Sequence, residues 1–162
     1  MRLLARSVFV CLAAIALSAT AAFARPDVTL HLTGATVVKT AQGEKLTPVD
    51  PNVKLKTGEV VRWTLVGTNK GSDPALHFEP SDKIPAGMAY IAGSATTTGG
   101  KPEFSTDQGK TWSSRPMVTV QTQTGPVEKP ADPSAYTNIR WMADKPLAPK
   151  GSVRFSYEVR VK

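Results

Sequence analysis

The amino-acid sequence predicts an all-β protein, an antiparallel β-sandwich of about seven to nine strands. Three observations carry this. The segment Val153 to Lys162 alternates strictly, with Val153, Phe155, Tyr157, Val159 and Val161 on one face and Arg154, Ser156, Glu158, Arg160 and Lys162 on the other. A two-residue period is that of a half-buried strand. Turn signals interrupt the chain at short intervals, among them Thr47-Pro48, Asp50-Pro51, Thr57-Gly58, Lys70-Gly71, Pro85-Ala86-Gly87, Gly99-Gly100 and Pro149-Lys150-Gly151. They are the punctuation of short strands. Finally, no stretch of eleven or more residues beyond Ala24 keeps a helical period.

The elements follow in chain order. Val28 to Leu32 and Thr36 to Thr40 are expected as two short strands. Glu59 to Thr68 sets Val61, Trp63 and Leu65 on one face against Arg62 and Thr64 on the other. Pro74 to Glu79 and Met88 to Ala92 are expected as short strands. Met117 to Gln123 is β-branched and alternating, with Val118 and Val120 together. Gly125 to Pro133 is expected as an irregular connection, because its prolines cannot donate to a sheet ladder. Thr137 to Met142 puts Ile139 and Trp141 on one face, and Val153 to Lys162 closes the chain.

The N-terminus is expected to be a leader. Arg2 and Arg6 precede an apolar run from Val8 to Leu17, and Ala22-Phe23-Ala24 is a small-x-small cleavage signal. Residues 1–24 therefore read as a secretory signal peptide. The run is about half the ~20 residues of a spanning helix, and no second apolar segment follows, so no membrane span is expected in the mature chain. Residues 25–162, 138 in number, suit one domain. Cys11 is the sole cysteine and lies inside the leader, so a mature chain has neither disulfides nor thiolate ligands. Without Arg2 and Arg6 the chain has 18 basic and 13 acidic residues, a net charge of +5. The basic residues are scattered singly, which argues against nucleic acid as a partner.

From about Val53 the order of phrases resembles the conserved repeat domain of bacterial secreted and surface proteins (domain of unknown function family eleven). The phrases are Thr57-Gly58-Glu59, Thr68-Asn69-Lys70-Gly71, Asp82, Pro85-Ala86-Gly87, Gly93-Ser94, a box S-x-D-x-G-x-T-W at 105–112, Ile139-x-Trp141, and Leu147-Ala148-Pro149-Lys150-Gly151. The resemblance spans residues 53–162, with residues 25–52 adding one or two strands to the same domain. Two departures are visible: Thr57 stands where proline is usual, and Lys150 is inserted between Pro149 and Gly151. The resemblance implies an immunoglobulin-like fold, export, and no established enzymatic chemistry. In the local reading, Asn69 and Gly71 suit a strand-ending turn because both tolerate positive φ.

The box Ser105, Asp107, Gly109, Thr111 and Trp112 has the spacing of the Asp-box of bacterial sialidases. A glycosidase, however, needs a pair of carboxyl groups or a tyrosine nucleophile with partners, and one box in 138 residues supplies neither. The box reads as structural: Asp107 accepts backbone N–H groups, Gly109 closes the turn, Thr111 continues a strand, and Trp112 packs on the sheet. His31 and His77 are the two histidines, and with a methionine they are the candidates for a metal; no close ligand spacing supports one. Gly93-Ser94-Ala95 lacks the G-x-S-x-G elbow of serine hydrolases. Trp63 and Trp141 lie in phase with apolar neighbours and are expected in the core rather than in a sugar-stacking platform.

The expected function is thus that of an exported, non-enzymatic structural or adhesive interaction domain of the bacterial envelope, periplasmic or secreted. It needs no cofactor, and its partner is an envelope or surface protein or polymer. Two alternatives are a periplasmic metal-binding protein and a carbohydrate-binding module or hydrolase.

Overall fold

The computed structural model describes residues 25–162; the expected signal peptide, residues 1–24, lies outside them. The described residues form eleven strands: β1 (Val28–Thr40), β2 (Gly43–Pro48), β3 (Val60–Asn69), β4 (Ser81–Lys83), β5 (Met88–Tyr90), β6 (Thr96–Thr97), β7 (Lys101–Ser105), β8 (Met117–Thr122), β9 (Gly125–Pro130), β10 (Asn138–Met142) and β11 (Ser152–Val161). One 3-10 turn, Pro133–Ala135, precedes β10. The count exceeds the expected seven to nine because two- and three-residue pieces such as β4 and β6 carry too little pattern to be read from sequence.

All pairing is antiparallel. The larger sheet has the order β2-β1-β3-β11-β5, with β6 also on β11; the smaller is β4-β10-β7; among the described residues β8 and β9 pair only with each other. The alternation in β3 and β11 aims Val61 and Leu65, with Phe155, Tyr157 and Val159, at the smaller sheet, which answers with Phe104, Ile139 and Trp141. Trp141 is the keystone: fully buried, its ring centre lies 5.1 Å from that of Phe155 and 6.1 Å from that of Tyr157. Each such large side chain contributes roughly 1.5–3 kcal/mol by leaving water, so the in-phase strands suffice to hold two layers together.

Several local expectations are corrected. Val28–Leu32 and Thr36–Thr40 are one continuous strand, β1. Gly34 links them because Trp63 lies across it: a Cβ there would stand 2.7 Å from the indole Cζ3. Pro74–Glu79 is not a strand; within it Ala75 alone bridges, to Leu147, and His77 takes a left-handed φ of 50°. Gly125–Pro130 is a strand despite its prolines. Ala131 donates to Pro116 O, so odd-numbered residues of β9 face β8, and Pro126 and Pro130 point outward where no ladder donor is needed. Asn69 and Gly71 do not have positive φ. Asn69 is used for its amide, and Gly71 for its lack of a side chain, since a Cβ would stand 2.2 Å from Arg25 O.

Candidate functional site

One stretch of the larger sheet is left open. β1 pairs β3 along Val28–Thr36, but β2 covers its other side only from Ala35 onward. Two contacts fix which backbone groups face outward there. Asp27 O accepts from Lys70 N on the β3 side, whereas Gly34 O accepts from Val49 N on the β2 side. By the alternation of a strand, the N–H and C=O groups of Leu30 and Leu32 point away from β3. Among the described residues no strand pairs with them. Their side chains share the face of Leu65, which lies opposite Leu32 and is 5% exposed. Leu30 and Leu32 are themselves 49% and 44% exposed. The apolar inner face thus runs past the part that the smaller sheet covers.

The stretch also lacks the features that keep strand edges apart, which are charge, proline and bulges. Val28–Gly34 reads Val-Thr-Leu-His-Leu-Thr-Gly. The other edges of the two packed sheets are blunted: β2 carries Glu44, Lys45 and Pro48, β4 carries Asp82 and Lys83, β7 carries Lys101, Pro102 and Glu103, and β5 and β6 are three and two residues long. What this surface can do is bind an extended polypeptide by main-chain hydrogen bonds while covering two leucines.

The turn after β7 is built from the box residues. Ser105, 1% exposed, donates its hydroxyl to Asp107 Oδ1 (2.7 Å) and accepts from Gly109 N (2.8 Å) and Asp107 N (3.2 Å). Asp107 Oδ1 also accepts from Thr111 N (2.9 Å) and Lys110 N (3.1 Å), and Oδ2 accepts from the Thr111 hydroxyl (2.7 Å). The Thr111 N–H above all, then the Ser105 and Thr111 hydroxyls, hold the Asp107 carboxyl well below the usual carboxylate range. Gln108 and Gly109 both take positive φ, 64° and 85°. Thr111 does not continue a strand, because its N–H and hydroxyl are turned to Asp107; pairing resumes at Ser113, which exchanges two hydrogen bonds with Phe104. Trp112 is half-buried, with the Arg140 guanidinium 4.9 Å above its ring and Arg140 held in turn by Glu103. The carboxylate of Asp107 is spent on the turn itself.

The remaining candidates are also accounted for. His31 is exposed on β1, opposite Val66, and His77 is exposed in the 70–80 loop. Among the described residues no group of three or more His, Cys, Asp or Glu could hold a metal. The Ser94 hydroxyl donates to Ile91 O (2.6 Å) and accepts from Glu158 N (3.0 Å), which makes it a brace between β5 and β11. Asp82 accepts from the buried Tyr157 hydroxyl (2.8 Å); burial first, then the Asp82 charge, pushes the Tyr157 phenol up. Trp63 is half-buried over Gly34 and Trp141 is fully buried, so neither offers an open ring face to a sugar. Sequence pattern alone places Leu30 and Leu32 on an apolar face; that this face lies beyond the second sheet depends on the width of that sheet. No helix among the described residues is long and apolar enough to cross a membrane.

Searched against family models, curated proteins and solved structures, the chain matches none.

Proposed function

We propose that this chain is an exported, non-enzymatic structural or interaction domain of the bacterial envelope, with an immunoglobulin-like sandwich as its body. The observation that carries the reading is the open edge of β1, uncharged and flanked by exposed Leu30 and Leu32. A surface of this kind binds an extended polypeptide by main-chain hydrogen bonds. Supporting it, the groups with nucleophilic or acidic character at the motifs, Ser94, Ser105, Asp82 and Asp107, are each engaged in holding the backbone or a core side chain. Export is supported by the leader pattern of residues 1–24. The order of phrases from Val53 onward supports kinship with the conserved repeat domain of bacterial secreted and surface proteins.

Fractionation of producing cells tests the reading. The chain is expected outside the cytoplasm with Arg25 at its N-terminus, and it co-sediments with isolated envelope fragments. Leu30→Lys combined with Leu32→Lys weakens that sedimentation at least about tenfold, since two charges must then be buried at the contact. A cytoplasmic chain that retains residues 1–24 would overturn the proposal.

A further inference from the structure

The open edge has a sequence property that selects its occupant. Thr29-Leu30-His31-Leu32-Thr33 reads the same in both directions. Two antiparallel copies of this stretch, related by a two-fold axis at His31, place Thr29 opposite Thr33, Leu30 opposite Leu32, and His31 opposite itself. The structure has already fixed the direction of the backbone groups. Leu30 and Leu32 face outward, so Leu30 with the second copy's Leu32, and the converse pair, are hydrogen-bonded pairs that exchange four main-chain bonds. His31 with its copy is the closer, non-hydrogen-bonded pair, with Cα atoms about 4.5 Å apart. Directly opposed residues share a face, so the four leucines form one apolar patch, with threonine and histidine on the other side.

We infer that this edge pairs with the same edge of a second copy, joining two larger sheets into one across the two-fold axis. The contact is isologous, each copy giving and receiving the same groups. It stops at Gly34, whose O is occupied by Val49 N: by the two-fold axis, Val28 of each copy meets the other copy's Gly34, so both ends of the pairing are set by the same contact. A five-residue pairing buries less than the ~1,200 Å² of a stable interface, so the dimer exchanges rapidly. The edge of β8, Met117–Thr122, is also uncharged, but its Val118 and Val120 are half-buried within the hairpin and its self-complementary core is three residues, Val118-Thr119-Val120. The inference deepens the proposed interaction role and rests on the β1 edge being its binding surface.

Disulfide trapping reads the register directly. In a Cys11→Ser background, His31→Cys is expected to give a disulfide-linked dimer on mild oxidation, because opposed Cα atoms fall inside the 4.4–6.8 Å range of disulfides. Thr29→Cys alone and Thr33→Cys alone do not cross-link, since like residues stand four strand positions apart, roughly 13 Å. Mixing Thr29→Cys with Thr33→Cys restores the link. Leu30→Lys combined with Leu32→Lys, both at exposed positions, leaves the circular dichroism unchanged and makes the chain sediment as a monomer. Cross-linking that ignores register, a monomer with no trapping at position 31, or trapping confined to Thr119→Cys overturns the inference. Such a failure with envelope binding still sensitive to the two lysines would assign the edge to a different polypeptide and leave the interaction role standing. Trapping at position 31 in a chain found only in the cytoplasm would do the reverse.

Discussion

At the scale of single residues, this protein uses polar side chains as joints. Asn69 is the fullest case. It is 0% exposed, accepts from Asp27 N and Gly71 N, and donates to Asp73 O and Leu147 O, so one amide ties the start of β1, the 70–80 loop and the approach to β11. Asp107 does the same for the turn after β7, but as a charged group, and its contribution must depend on pH. Its carboxyl titrates lower in the folded chain than in the unfolded one. The stabilisation is therefore complete above the unfolded value near 3.9 and is lost as pH falls toward the folded value. Asp107→Asn is expected to lower the urea midpoint at pH 7, with the gap to the unsubstituted chain narrowing steadily below about pH 4. A gap that stays constant down to pH 2 would show that the charge plays no part.

At the scale of elements, the β8–β9 hairpin is separable from the rest. Among the described residues its strands pair only with each other, and its two ends meet where Ala131 N donates to Pro116 O at 2.9 Å. Replacing Met117–Pro130 by a two-residue Asn-Gly turn is expected to leave unfolding cooperative and the stability within about 1 kcal/mol, because an isolated two-stranded hairpin is itself marginal. Urea unfolding followed by tryptophan fluorescence measures this, and loss of the cooperative transition would refute it. The hairpin also shows where sequence reading fails. Long alternating segments, β3, β10 and β11, are legible because a period of two over five or more residues has one structural meaning. β9 is not, because proline forbids a ladder bond only on the inward side, and the inward side is set by the partner strand. Pro74–Glu79 misleads in the opposite way. Its Leu76 and Phe78 alternate with His77 and Glu79 as in a strand, but Asn69, which donates to Asp73 O, and the left-handed His77 hold it as a loop.

At the scale of the whole molecule, the candidate surface arises from a mismatch between two sheets. The smaller sheet is three strands wide and the larger runs β2-β1-β3-β11-β5, so the end of β1 that carries Leu30 and Leu32 lies past the covered zone. No residue of β1 announces this; Leu30 and Leu32 have the pattern of core residues, and only the extent of the opposite layer leaves them in water. The open edge must nonetheless be held rigid to bind anything, and its anchoring lies in the residues just before it. Asp27 O accepts from Lys70 N, Asp27 N donates to Asn69 Oδ1, and Arg25 packs its carbonyl against Gly71. A chain beginning at Arg25 keeps all three and is expected to unfold in urea like the full sequence. A chain beginning at Thr29 leaves the buried Asn69 amide and Lys70 N without these partners and is expected to lose about 2–3 kcal/mol. Its amide protons along Thr29, His31 and Thr33 exchange faster, since the first turns of the β1–β3 ladder open with it. Equal stability of the two truncated chains would mean that the edge is positioned by β3 alone.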